Sequence, residues 1–263
     1  MNITLFTSDK KRHKYFINQL SNISKNLFVV QEYYKNESKE NFIKSSKDQA
    51  INKYFNNVKD AEIKIFGESE INNFNKNVKI LKILFGELSN CSLSKLSSYL
   101  NSDLYIVFGS SYIKGDLIDF LIKNKAINIH MGVSPFYRGT DCNFWALYDN
   151  NPHLVGSTIR LLSKGLDDGP ILYHSMSSVK KNPFEYTMST VKSAFNSLID
   201  KINKKSIFKI KPEIQNQRKE IRYSRSNEFV EEIVIDYFKK KIDINSKNFN
   251  NSLLKEPFFL KEL

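Results

Sequence analysis

Apolar residues in the first third of the chain come in short runs separated by polar, amphipathic stretches. Residues 2–6 (NITLF) form the first run. In the charged stretch that follows, to about residue 24, Tyr15, Phe16, Leu20 and Ile23 fall on one helical face. Residues 27–31 (LFVVQ) are apolar and β-branched, and strand, helix, strand is the opening of a parallel sheet. Residues 34–77 are polar and rich in Lys, Asn and Glu, and read as a helical insertion with loops. The strand pattern resumes over 78–84 (VKILKIL), and a short helix fits 92–100. The continuous apolar run 104–108 (LYIVF) suits a strand buried on both faces. A helix over 116–123 follows, then strands over 126–130, 155–161 and 170–175. Phe184, Met188, Val191, Phe195, Leu198 and Ile202 recur at helical spacing and predict a helix over 183–203. One more helix, capped by Ser226 or Asn227, is expected to run to about residue 240, and the tail NNSLLKEPFFLKEL to dock its apolar residues on the body. The expected fold is α/β: a mostly parallel sheet with helices on both faces over residues 1–180, then a small, mostly helical extension over 181–263.

The chain has 263 residues, 41% of them hydrophobic, which supports a buried core and argues against general disorder. No apolar run approaches the roughly 18 residues of a bilayer span. The opening MNITLFTSDKK reads as a strand and not as a signal peptide, because charges follow its short apolar stretch at once. Cys91 and Cys142 lie far apart in no metal-ligand spacing, so neither a disulfide framework nor a metal site is expected, and a reducing cytoplasm is the natural compartment. The net charge of +12 invites a nucleic-acid reading. Its distribution argues against one: residues 101–180 hold seven basic and seven acidic side chains, and the excess sits in Lys- and Asn-rich flanks that read as solvated surface.

The neutral middle carries the candidate chemistry. Seven of the nine glycines lie between Gly109 and Gly169, and strand ends in open α/β sheets are where functional groups collect. Asn128 and His130, two apart on a strand, share one face. An amide beside an imidazole can hydrogen-bond a carbonyl oxygen and move a proton. A carboxylate then arrives in the glycine-bracketed loop Gly165-Leu-Asp-Asp-Gly169. Beside a histidine it fixes the tautomer and stabilises the cation. Taken singly, each of these residues is more often structural: a strand-end histidine, an asparagine turn cap, a DDG turn. Together they suit acyl transfer through a tetrahedral intermediate.

This segment resembles the folate-dependent formyltransferases: the glycinamide ribonucleotide, methionyl-tRNA and sugar-nucleotide enzymes, with the related 10-formyltetrahydrofolate hydrolase. The likeness rests on Asn128-Ile-His130, Ser134-Pro135-Phe-Tyr137-Arg138-Gly139, Gly156-Ser-Thr158 and Asp167-Asp-Gly169-Pro-Ile171 in the family's order and spacing. It is close over residues 100–175 and only a general α/β pattern before them. It implies a Rossmann-like sheet and a catalytic set of Asn128, His130 and Asp167, with Asp167 preferred over its neighbour Asp168. It implies 10-formyltetrahydrofolate as co-substrate and no metal. Gly109, Ser110, Ser111, Tyr112 and Ile113 would hold the pterin through backbone groups, with Leu162, Ser163, Lys164, Gly165 and Leu166 as the opposite wall. Tyr137, Arg138 and Gly139 would shape the acceptor side, with Arg138 meeting a phosphate or carboxylate. Two departures, Gly132 where the family has serine and Ser134 where it has leucine, are expected to widen the acceptor mouth. His153 and His174 read as structural or surface residues.

The acceptor implied is a phosphate-bearing small-molecule amine. The turn after the first strand, Thr7-Ser-Asp-Lys-Lys-Arg12-His13, has no glycine, against glycinamide ribonucleotide. About 60 residues follow the 183–203 helix, against the methionyl-tRNA enzymes' C-terminal barrel. A nucleotide-linked amino sugar is the acceptor favoured, with Lys10, Lys11, Arg12 and His13 as candidates for its diphosphate, Lys10 and Arg12 foremost, against their reading as a solvated helix start. Deformylation of the folate alone is the rival activity, and a non-catalytic nucleic-acid-binding protein the remote one. No membrane partner is expected; the oligomeric state stays open, a homodimer being one option.

Overall fold

A computed structural model describes residues 1–35, 48–67 and 74–244. The expected tail-docking segment lies outside them. The strands are β1 (Asn2–Thr7), β2 (Asn26–Tyr33), β3 (Val78–Leu84), β4 (Leu104–Phe108), β5 (Ile127–His130), β6 (Tyr137–Gly139), β7 (Ser157–Leu161), β8 (Ile171–Ser175) and β9 (Arg222–Ser224). The α-helices are α1 (Lys11–Ser21), α2 (Gln49–Phe66), α3 (Leu93–Leu96), α4 (Gly115–Lys123), α5 (Cys142–Tyr148), α6 (Pro183–Asn203) and α7 (Glu231–Lys239).

Seven strands form one sheet in the order β3-β2-β1-β4-β5-β7-β8. The first five run parallel, and β7 and β8 close that edge antiparallel. This is the Rossmann-like, mostly parallel α/β arrangement expected. Alternation along the strands divides the apolar side chains between two cores. Ile3, Leu5, Ile106, Phe108, Ile127 and Ile129 face one, with Phe16 and Leu20 of α1, Ala61 of α2 and Phe195 and Leu198 of α6. Phe6, Tyr105, Val107 and Ala126 face the other, beneath Leu117, Ile118 and Leu121 of α4. The polar stretch before β3 thus supplies α2, the crossover helix of a parallel unit.

The helix α6 is stopped at its start by Asn182, whose side chain accepts from Phe184 N (2.9 Å) and Glu185 N (3.2 Å), with Pro183 at the first helical position. All six apolar residues that predicted it are buried in the first core. The sheet's own core therefore runs past residue 180, and the expected boundary there separates no packing unit. The described residues beyond α6, 204–244, are also less helical than expected. Glu213 bridges Ile171 at the sheet edge, β9 pairs in parallel with β6, and α7 begins at Glu231, later than the expected cap. Glu231 in turn accepts the Ala50 and Ile51 amides at the start of α2 (2.6 and 3.0 Å).

Parallel strands on the two sides of the β1–β4 pair continue in opposite directions, so the carboxyl ends of β1 and β4 open the crevice where ligands settle in such sheets. The end of β5, next to β4, brings Asn128 and His130 to its rim.

Candidate active site

Asn128 and His130 share parity with Ala126, so they stand on the second-core face of the sheet. In the antiparallel register Asn128 lies opposite Arg160, and His130 opposite Thr158. Directly opposite residues share a face, so these four side chains form one polar row in an apolar sheet. Thr158 Oγ1 accepts from Ser134 N (2.9 Å) and donates to Gly132 O (2.6 Å), tying down the loop that follows His130.

Asp167 comes to this row from the loop between β7 and β8. Its backbone is left-handed (φ 55°), a conformation aspartate tolerates. Gln215 Nε2 donates to the carbonyls of Asp167 (2.9 Å) and Gly169 (2.7 Å) and so holds the turn. The Asp167 carboxylate lies 3.4 Å from His130 Nδ1 through Oδ1. The same oxygen accepts from Arg160 Nη2 at 2.5 Å, while Oδ2 accepts from Gly139 N at 2.9 Å. Gly139 sits at φ 92°, and a Cβ there would fall 2.0 Å from Ser224 O, so only glycine brings this amide to the carboxylate. Asp168 turns away and accepts from Ser163 Oγ.

His130 Nε2 faces the Tyr137 carbonyl at 3.3 Å. Each ring nitrogen therefore meets an acceptor. A neutral ring can donate to one of them, an imidazolium to both. Burial lowers the His130 pKa below its ordinary value, Asp167 pulls it up and Arg160 pushes it down, leaving a net lowering and a neutral ring at pH 7. Burial pushes the Asp167 carboxyl up, but His130, Arg160 and the Gly139 amide outweigh it and hold the group ionised below the usual range.

The two loops expected to flank a pterin face each other: Tyr112 OH donates to Lys164 O at 2.8 Å. Ile113 is buried in the second core, with Leu162 packed against it. Ser110 Oγ turns to Ser111 O, and Leu166 is exposed. The first loop is stapled by a residue the sequence reading passed over. Glu32, fully buried at the end of β2, accepts from Ser111 N (2.5 Å), Ser111 Oγ (2.6 Å) and Gly86 N (2.9 Å).

Other expected residues are placed differently. The Tyr137 phenol points into the fold, donating to Asp149 (3.2 Å) and accepting from Asn151 (2.8 Å). Arg138 braces the loops, pairing with Glu220 (2.8 Å), donating to Leu166 O (2.8 Å) and lying over the Tyr223 ring. Arg12 is paired with Glu62 at 3.1 Å, while Lys10 stays exposed. Arg12 and Arg138 each pair with a carboxylate of the protein. Gly132 does not widen a mouth, because a Cβ there would lie 2.5 Å from Cys142 Cβ and 2.7 Å from His130 Nε2. Ser134 is fully buried and widens nothing either. His174 is buried against Ser134 O (2.7 Å), a structural placement. His13, one of the diphosphate candidates, is buried at the crevice with Nδ1 on Thr7 Oγ1 (2.7 Å).

Residues 87–207 match the family model described as formyl transferase. Over this segment the chain is similar to the formyl transferases. The segment contains Asn128, His130 and Asp167, both expected pterin loops, and all of α6. A methionyl-tRNA formyltransferase of Thermodesulfovibrio yellowstonii is 33% identical over 125 residues, 46% of this chain and 40% of the relative. The match spans less than half of that curated relative. Among solved structures, a 4-N formyltransferase from Francisella tularensis superposes with a TM-score of 0.52 at 16% identity, covering 87% of this chain and 77% of the other. A phosphoribosylglycinamide formyltransferase from Anaplasma phagocytophilum gives 0.52 at 14% identity, covering 81% and 92%. These two show that the fold extends beyond the formyl transferase segment into β1–β3. No helix among the described residues is long and apolar enough to cross a membrane.

Proposed function

We propose that this protein transfers a formyl group from 10-formyltetrahydrofolate to a primary amine. The observation that carries the reading is the convergence of Asn128, His130 and Asp167, from two separate stretches of chain, at the open end of the sheet. The Asn128 amide donates to the formyl oxygen as negative charge develops on it. Neutral His130, its Nδ1–H turned to Asp167, takes the attacking amine's proton on Nε2 as the new C–N bond forms, and hands it to the folate nitrogen as the tetrahedral intermediate breaks its bond to that nitrogen and tetrahydrofolate leaves; while protonated, the Nε2–H has the Tyr137 carbonyl 3.3 Å away. Asp167 stabilises the imidazolium and, through Gly139 N, locks the acceptor loop to the site. Residues 109–113 and 162–166 hold the pterin edge. Their facing backbone groups, joined across the gap by Tyr112, supply the donors and acceptors such a ring needs.

For the acceptor we favour a nucleotide-linked amino sugar. The glycine-free turn after β1 supports this. Of the diphosphate candidates Lys10 is exposed, while Arg12 pairs with Glu62 and His13 is buried. A mass-spectrometric screen of nucleotide amino sugars, glycinamide ribonucleotide and simple amines with 10-formyltetrahydrofolate tests the proposal. A formylated nucleotide sugar is expected, with His130→Ala slower by about 10²–10⁴-fold. Rapid formate release without any amine marks a hydrolase. Wild-type transfer by His130→Ala rejects the mechanism.

A further inference from the structure

Arg160 lies at the centre of the polar row and has no role in the mechanism above. Its side chain is 4% exposed, on a strand where Ile159 and Leu161 flank it. Among the described residues, one ion pair balances its charge, the 2.5 Å contact with Asp167 Oδ1. Nε and Nη1 are buried without a protein acceptor. A guanidinium so deeply buried depends on its carboxylate: an unpaired buried charge is strongly destabilising. The same Oδ1 is the atom nearest His130, and it lies closer to Arg160 than to the imidazole by 2.5 Å against 3.4 Å. Asp167 is therefore shared, with the guanidinium as its nearer partner.

We infer that Arg160 is a positioning residue of the transfer site, holding the Asp167 carboxylate and limiting how far that carboxylate charges His130. This rests on the functional reading above for its meaning in catalysis, but its physical content is independent of substrate. The charged groups around the ring are Asp167 and Arg160 on either side of the shared oxygen, and Arg138 on β6; Asp168, turned to Ser163, acts on Arg160. A cation beside the carboxylate keeps Asp167 ionised and fixed, yet leaves His130 neutral and able to accept a proton. Without it, the full charge of Asp167 falls on His130 and the ring is protonated at a pH where it must be a base.

The test is NMR titration of the His130 ring in wild type, Arg160→Met and Arg160→Lys, with kcat/KM measured across pH in parallel. Arg160→Met should raise the His130 pKa by about one to two units, the scale of removing one charge some 6 Å away at an effective dielectric near 20. The acid limb of kcat/KM should move up by the same amount. Arg160→Lys, which keeps the charge, should stay within about half a unit. If Arg160→Met does not fold, Arg160→Gln carries the same expectation. A folded neutral variant whose His130 titrates as in wild type overturns the inference, as does an activity loss uniform across pH. The titration needs no transfer activity, so a shifted pKa in a protein that formylates no amine would refute the functional reading and leave the charge clamp standing.

Discussion

Replacing Gly132 with alanine tests whether the loop after His130 is shaped by close packing. An added Cβ would lie 2.5 Å from Cys142 Cβ, 2.7 Å from His130 Nε2 and 3.1 Å from Cys142 Sγ. Ordinary carbon contacts are about 3.5–4.0 Å, so two neighbours must give way by about an ångström. Cys142 cannot yield easily: it is 1% exposed at the first turn of α5, among residues that are almost all buried. The His130 ring is the softer partner. Overpacking of this kind costs about 1–3 kcal/mol, which for a chain of this size lowers Tm by about 2–12 °C. A displacement of about 1 Å at a reacting group costs on the order of 10²-fold in rate. Gly132→Ala should therefore lower Tm modestly and kcat by about a hundredfold, with little change in KM for the folate. Thermal unfolding and steady-state kinetics measure these. Adding Cys142→Gly, which removes the 2.5 Å neighbour, should restore part of the stability. A Gly132→Ala protein with wild-type Tm and kcat would show that the loop has room and that the packing argument is wrong.

Three more outcomes follow from single contacts. His174 is buried with its pKa driven down to about 4, first by burial and against the hydrogen bond to Ser134. A depressed histidine contributes stability present above its unfolded pKa near 6.5 and lost as pH falls toward 4, about 3 kcal/mol in all. Stability should therefore drop on acidification through that window and flatten in His174→Gln, as denaturation at a series of pH values would show; an equal drop in the variant would exclude His174 as its source. Glu32→Gln leaves one carbonyl oxygen where two carboxylate oxygens take three hydrogen bonds. With an amide NH₂ turned toward donors, KM for the folate should rise about tenfold, at a cost of about 1–3 kcal/mol, more than kcat falls. Gln215→Ala removes two hydrogen bonds that hold the Asp167 turn. It should lower kcat/KM by about tenfold at a stability loss of about 1–2 kcal/mol; unchanged kinetics would mean the turn holds itself.

What was legible in the sequence follows the range of the forces involved. Strands β1, β2, β4 and β5 show as apolar runs because burial on both faces leaves a local signature, and α6 shows because its stripe repeats at the helical period. Asn128, His130 and Asp167 were legible because the chemistry needs those residue types and the family's motif carries them. Arg160 has the opposite character. It is one charge in the strand STIRL, and only the antiparallel register with β5 gives it meaning. Glu32 similarly ends a strand 79 residues before the serine it holds.

The chain after α6 was the least legible, for a physical reason. Its residues satisfy partners far back in the sequence. Gln215 serves the Asp167 turn, Glu220 pairs with Arg138, and Arg222 takes both carboxylate oxygens of Asp149 at 3.0 Å while lying 4.2 Å over the Trp145 ring. None of these contacts has a period or a local propensity, so a sequence pattern reports only polar, Lys-rich surface. In the fold the same stretch closes over β6 and the β7–β8 loop, the two pieces that bring Gly139 N and the Asp167 carboxylate together. An aspartate in a left-handed turn needs such support, because its conformation is not one the backbone would choose alone. The segment read as an appendage is thus a structural wall of the site. The identity of the acceptor is then to be sought in this wall's exposed side chains, Tyr223 and Ile221 among them, more than in the arginines already committed to holding it in place.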